Sequence, residues 1–160
     1  MRTVQFIAAG ALAAIASASV AHGNASHADG PVIREQKPWG IAAEAQEVQR
    51  SLTIQMTDDM RFSPSHFIVK KGETLRLRVV NQGQLMHEMV LGTKASLGEH
   101  AQMMLRHPGM EHAEPFMAHV APGKAEDLVW NFNRTGEFDF ACLIPGHYQA
   151  GMTGRLTVTE

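Results

Sequence analysis

The sequence predicts an all-β fold, an antiparallel sandwich of about seven or eight strands. Two observations carry that prediction. From residue 50 onward, short stretches alternate apolar and polar residues, as Leu52, Ile54 and Met56 do, and such a stretch is a strand with one buried face. Gly, Pro and Asn punctuate the stretches, so the strands are short and joined by turns. One segment has helical spacing instead and stands out as a single short helical insertion. The 160 residues are enough for one domain with a real core.

In chain order, residues 1–21 read as a cleaved secretory signal peptide. Arg2 gives a positive start, residues 6–18 are apolar and small, and Ser19-Val20-Ala21 is a small-x-small cleavage site. The apolar run is short, Ala-rich and without a flanking basic stop, which argues against a retained anchor. No other stretch is long and apolar enough to span a membrane. The mature chain is therefore expected to start near His22 and to work in the periplasm. Residues 22–49 are polar and mixed, with Gly23, Asn24, Ser26, Asp29, Gly30 and Pro31 marking a flexible N-terminal arm. His22 and His27 read there as solvated tail residues. Further along the arm, Ala42, Ala43, Ala45 and Val48 offer the packing face of one short helix over 40–49.

The strands come next. Leu52, Ile54 and Met56 open them, and Phe67 and Val69 continue after the Ser63-Pro64 turn. Beyond Lys71-Gly72, residues Leu75, Leu77 and Val79 face one way and Thr74, Arg76 and Arg78 the other. Asn81-Gln82-Gly83-Gln84 breaks the run, and His87-Glu88-Met89-Val90-Leu91 resumes it. Residues 128–132, 138–142 and 156–158 supply the last strands. The helical insertion lies between. Ser96 and Glu99 have capping-box spacing. Leu97, Ala101, Met104 and Leu105 form an inward stripe, and Pro108-Gly109 is a stop.

The formal net charge of −2 offers no basic face, so nucleic acid is not an expected partner. The single cysteine cannot make an intramolecular disulfide. It sits where a predicted strand gives way to a Pro145-Gly146 turn, in the pattern Cys142-x4-His147-x4-Met152. A soft thiolate, an imidazole and a thioether on one loop are a copper donor set. Zinc also accepts Cys and His, but the thioether favours copper. In an exported chain a lone thiol is open to oxidation, and ligation protects it.

Such a site wants one more imidazole. His87 is the candidate: it follows the Gly83 turn, begins a strand between Met86 and Met89, and strand ends cluster at the poles of a sandwich. His66 sits in a strand pattern and reads as a surface residue. His100, His107, His112 and His119 belong to the insertion.

With Asn81-Gln82-Gly83 ahead of His87, and a ligand loop ending Gly-His-x-x-x-Gly-Met, residues 50–160 resemble the cupredoxin family of small blue copper proteins. Lys37-Pro38-Trp39-Gly40, Met60-Arg61-Phe62, His87-Glu88 and a Met/His-rich insertion at about 94–122 look most like periplasmic cupredoxins of bacterial copper-tolerance systems. The resemblance implies a Greek-key β-sandwich and one mononuclear copper. It also implies a trigonal plane of His87, Cys142 and His147, with Met152 as a long axial ligand. Glu88 departs from the family pattern, since many members carry a small polar residue there that hydrogen-bonds the thiolate. Its effect on the sulfur's surroundings is left open.

With all four positions filled by protein, no open position is left for a substrate, so electron transfer rather than enzymatic turnover is expected. The expected role is single-electron transfer within copper tolerance. The alternative is a dedicated electron carrier with no copper-handling role. A third reading, part of an oxidase, is disfavoured: a dinuclear centre wants two cysteines on this loop, and Gly146 stands four after Cys142. The expected partner of this monomer is a transient redox or copper-delivery protein, met at an apolar patch of Pro145, Tyr148 and Ala150 beside His147. Lastly, His100, Met103 and His107 fall at i, i+3 and i+7 on the helix. With Met110, His112, Met117 and His119 behind them they are a candidate second copper site, suited to Cu(I). The competing reading is methionine packing with solvated histidines.

Overall fold

The computed structural model describes residues 32–108, 110 and 112–160. The expected signal peptide, its cleavage site, His22 and His27 lie outside the described residues, as does Gly109 of the expected helix stop. The chain runs β1 (Ile41–Ala42), a 3-10 turn (Ala45–Glu47), β2 (Arg50–Thr57), β3 (Arg61–Ser63), β4 (His66–Lys70), β5 (Thr74–Asn81) and β6 (His87–Gly92). After α1 (Lys94–Arg106) come β7 (Met117–Val120), β8 (Ala125–Asn131), β9 (Gly136–Ala141) and β10 (Thr153–Thr159).

Two five-stranded sheets result, ordered β1-β8-β5-β2-β3 and β4-β10-β9-β6-β7. The all-β sandwich expectation holds, with more strands than expected. The additional ones, β1, β3 and β7, have only two to four residues each, too few to show alternation. Nor is every pairing antiparallel: β2 runs parallel to β5, and β10 parallel to β4. Alternation reports a buried face and says nothing of direction. The path from β2 to β5 passes through β4 of the other sheet, and so long a connection permits a parallel return.

The alternating apolar residues do what their period requires. Ile54, Met56, Leu75, Leu77, Val79, Leu128 and Trp130 of one sheet meet Phe67, Val69, Met89, Leu91, Phe140, Leu156 and Val158 of the other. Phe62 packs edge-on to Phe140 across the gap, with ring centroids 5.0 Å apart. His66 is exposed on β4, with its Nε2 3.1 Å from Thr157 Oγ1.

Strand β6 is buried on both faces. Met89 and Leu91 join the main core, whereas Val90 joins Leu97, Ala101 and Met104 of α1 on the outer side. The helix begins one cap earlier than its sequence indicated. Thr93 is the N-cap: its side chain accepts the Ser96 N–H at 3.1 Å, and Ser96 Oγ accepts the Thr93 N–H at 3.0 Å. Ser96 therefore plays the part expected of Glu99. Leu105 is exposed rather than inward, since the sheet meets only the stripe through residues 97, 101 and 104. The helix ends at Arg106, ahead of Pro108. Beyond the loop the insertion returns to the sheet as β7, the edge partner of β6.

Residues 40–49 form no α-helix. Ile41 and Ala42 pair with β8 instead, and only Ala45–Glu47 makes a 3-10 turn. Trp39, 6% exposed, rests edge-on against Phe116, and its carbonyl accepts the Trp130 indole N–H at 2.9 Å. The edge of β8 recruits this segment because its unpaired backbone groups need partners.

Candidate metal centre

Three strands deliver the ligand candidates to one end of the sandwich. His87 is the first residue of β6, Cys142 directly follows β9, and His147 and Met152 lie on the loop into β10. Strands β6 and β9 are neighbours, with Val90 opposite Ala141, so His87 and Cys142 end up close together. The ring nitrogens of His87 and His147 and the Cys142 sulfur lie within 4.8 Å of one another. Cys142 Sγ is 3.3 Å from His147 Nδ1, and the two imidazole centroids are 4.9 Å apart.

The loop is held by its own backbone. Cys142 N–H donates to the Met152 carbonyl at 3.0 Å, and Met152 N–H to the His147 carbonyl at 3.1 Å. His147 N–H bonds the Ile144 carbonyl at 2.9 Å. Gly146 takes φ +94°, which a side chain would resist. Met152 is fully buried among the core residues.

His87 is fixed from the other sheet. Its Nε2 lies 3.0 Å from Asp58 Oδ1, in the turn between β2 and β3. Asp58 also accepts the N–H groups of Gln84 at 2.7 Å and Leu85 at 3.3 Å, so one carboxylate sets both the loop before β6 and the ring. Those two backbone donors, Gln84 first, and His87 hold Asp58 below the usual carboxylate range. Asn81 braces the same loop, donating to the carbonyls of Leu85 and Val120 and accepting the Gly83 N–H.

Glu88 points to the outer face, as alternation along β6 requires. Its backbone N–H faces Cys142 Sγ at 3.5 Å, so the main chain supplies a donor to the sulfur. Its buried carboxylate accepts the Leu143 N–H at 2.8 Å and meets His119 Nε2 at 2.9 Å.

Electrostatics fit a soft cation. Burial pushes the Cys142 thiol up to about 12, so the sulfur keeps its proton unless a cation takes its place. Burial, and next the facing His87, hold His147 below the ordinary imidazole value, leaving a lone pair available. The decisive atom is His87 Nδ1, which is buried with no hydrogen-bond partner. With Nε2 engaged by Asp58, Nδ1 is a lone pair without a donor beside a buried thiol and a second ring nitrogen. Buried polar atoms without partners are rare, and a metal ion accounts for this one.

A family model of copper-binding proteins, the plastocyanin/azurin family, matches residues 48–159. The chain belongs to this family. Copper is its cofactor, and the residues present fit that ion. The chain is 45% identical over 148 residues to the copper-resistant cuproprotein CopI of Rubrivivax gelatinosus, covering 92% of this chain and 89% of that one. It is 36% identical to the protein of the same name in Pseudomonas aeruginosa, covering 91% and 88%. A crystal structure of dithionite-reduced auracyanin from Roseiflexus castenholzii superposes with a TM-score of 0.61 at 19% identity, over 71% of this chain and 99% of that one, which shows the shared fold.

The structure gathers His87, Cys142 and His147 side by side and ties Met152 to the last two through its backbone. In the insertion, His100 Nε2 lies 2.8 Å from His112 Nε2, while His107 caps the helix and Met110 is exposed. Met117 packs under α1. Asp58 escaped sequence reasoning altogether, because nothing local marks a turn carboxylate that reaches a histidine 29 residues on.

Proposed function

We propose that this chain is an exported, monomeric one-copper protein that passes single electrons in copper tolerance. Its ligands are His87, Cys142, His147 and Met152, and it turns over no bound substrate. The observation that carries the proposal is the unpartnered, buried Nδ1 of His87 beside Cys142 Sγ and His147 Nδ1.

Copper bound there supplies one-electron exchange between Cu(I) and Cu(II). The chain's part is to hold the donors still. Asp58 sets the His87 ring, Glu88 N–H faces the sulfur, and the Cys142–Met152 backbone bond closes the loop. His87, Cys142 and Met152 are fully buried, whereas His147 is only partly so. The His147 ring is thus the route by which an electron reaches the surface. Leu85 and Met86, each 47% exposed, lie on the loop before His87, and Pro145 and Ala150 flank His147. An apolar rim of this kind suits a transient redox or copper-delivery partner, which must also leave. The two relatives, both copper-resistant cuproproteins, support a role in tolerance.

The test is spectroscopic. The copper-loaded mature protein should show an intense thiolate-to-Cu(II) band in the visible and one mononuclear paramagnetic signal. Cys142→Ser should abolish the band, since an alcohol does not replace a soft thiolate. A band of full strength in that variant overturns the ligand set. Unimpaired growth in copper of a host lacking the gene leaves the dedicated electron carrier as the better reading.

A further inference from the structure

The turn between β2 and β3 reaches over from the other sheet and touches both segments that carry the ligand candidates. Its Asp58 carboxylate lies 3.0 Å from His87 Nε2 and accepts the Gln84 and Leu85 N–H groups. Arg61, on the same turn, reaches the other segment. Its Nη1 donates to the Ala150 carbonyl at 3.2 Å, between His147 and Met152 in the chain. Met60, between the two, takes φ +59°, a left-handed conformation that a methionine adopts at a cost. Its N–H closes the turn on the Thr57 carbonyl at 3.0 Å. Backbone strain persists where the surroundings over-determine it, and here two aimed side chains do so.

We propose that Asp58 sets the reduction potential of the copper centre: its carboxylate, bonded to His87 Nε2–H, biases the bound ion toward Cu(II). This rests on the one-copper reading, with His87 Nδ1 as the donor. That nitrogen is buried without a partner, so the ring proton sits on Nε2 and donates to Asp58. A carboxylate bonded to the far nitrogen of a ligand imidazole makes the ring a stronger base. A stronger base favours the ion of higher charge, so Cu(II) gains more than Cu(I) and the potential falls. His87 is fully buried, while the Asp58 side chain is 37% exposed. Water screens the field of the carboxylate at a distance, but not the bond it makes directly to the ring. Asp58 is thus a positioning residue that acts on copper through His87. Asp59 is exposed on the same turn and carries the same charge, so it separates the effect of the bond from that of the charge.

Reduction potentials of the copper-loaded wild type, Asp58→Asn and Asp59→Asn test this. Asp58→Asn keeps a carbonyl oxygen for the ring and removes the charge. Its Cu(II) affinity should fall about tenfold relative to its Cu(I) affinity, which raises the potential by about 59 mV for one electron. Asp59→Asn should leave the potential near the wild-type value. A purely structural role would weaken both oxidation states alike, so an unmoved potential in Asp58→Asn overturns the proposal. An equal rise in both variants also overturns it, since net charge would then be the cause. The copper-free protein gives a second readout, in the ring nitrogen resonances of His87. They should show the proton on Nε2, and Asp58→Ala should speed its exchange with water. A proton on Nδ1 in the copper-free wild type overturns the proposal even if no Asp58 variant holds copper. Absence of a thiolate band in the wild type would overturn the ligand set and this proposal with it, whereas an unmoved potential with the band intact overturns this proposal alone.

Discussion

Met152 shows how one residue serves two purposes. Its backbone bonds both Cys142 and His147, and its side chain is fully buried. A thioether at the axial position tunes copper more than it holds it. Met152→Leu keeps the volume and removes the donor, so copper should stay and the reduction potential should rise. Voltammetry checks this, and outright loss of copper would make Met152 a principal ligand. Cys142 and His147 were legible in the sequence because donor type and spacing on one loop carry the chemistry. His87 was legible because strand ends meet at a pole. Asp58 was not: its bonds to Gln84, Leu85 and His87 depend on how the β2–β3 turn meets the loop before β6. Glu88 could be named as a departure from family pattern, yet only the structure shows that its main chain, not its side chain, faces the sulfur.

At the scale of elements, the loop between β5 and β6 is the device that aims His87. Gly83 lies so close to Asp58 that an added Cβ would sit 1.9 Å from Oδ1. Gly83→Ala should therefore push Asp58 off the Gln84 and Leu85 N–H groups and off the His87 ring. A loss of about 1–3 kcal/mol, read from the denaturant midpoint, is expected. Because both changes break the same bonds, adding Asp58→Ala should cost little more, and a double-mutant cycle checks that non-additivity. A full, additive second loss would show that Gly83 and Asp58 act separately. The start of β5 offers a contrast in charge. Arg50 first, then the Lys70 N–H, holds Glu73 below the usual carboxylate range. A folded value below the unfolded one means a contribution complete above the unfolded carboxylate range and lost as pH falls through the lower folded value. Arg50→Gln should lower stability slightly at neutral pH and leave it unchanged below the folded value, so the acid limb flattens, as denaturant midpoints measured against pH would show.

For the whole molecule, the alternation of Leu75, Leu77 and Val79 and of Leu52, Ile54 and Met56 was enough to predict two facing sheets. It could not tell strand direction, and it missed strands of two to four residues, whose existence rests on neighbours and not on their own pattern. The arm is the largest consequence. Its apolar residues have the spacing of a short helix, but the open edge of β8 takes Ile41 and Ala42 as a strand. Trp39 beside them is buried, with Phe116 edge-on at 5.4 Å and the Trp130 indole bonded to its carbonyl. Phe116 lies beside Leu91, four residues along β6 from His87, so the anchor and the metal centre occupy opposite ends of the same strand. Trp39→Ala should therefore lower stability by about 3 kcal/mol, through lost burial and an unfilled cavity. The visible spectrum of the copper-loaded protein should stay as it is. Parallel thermal unfolding and absorption measurements separate the two effects. A spectral change in this variant would show that the arm also sets the metal centre, and an unchanged melting temperature would show that the arm is not part of the core.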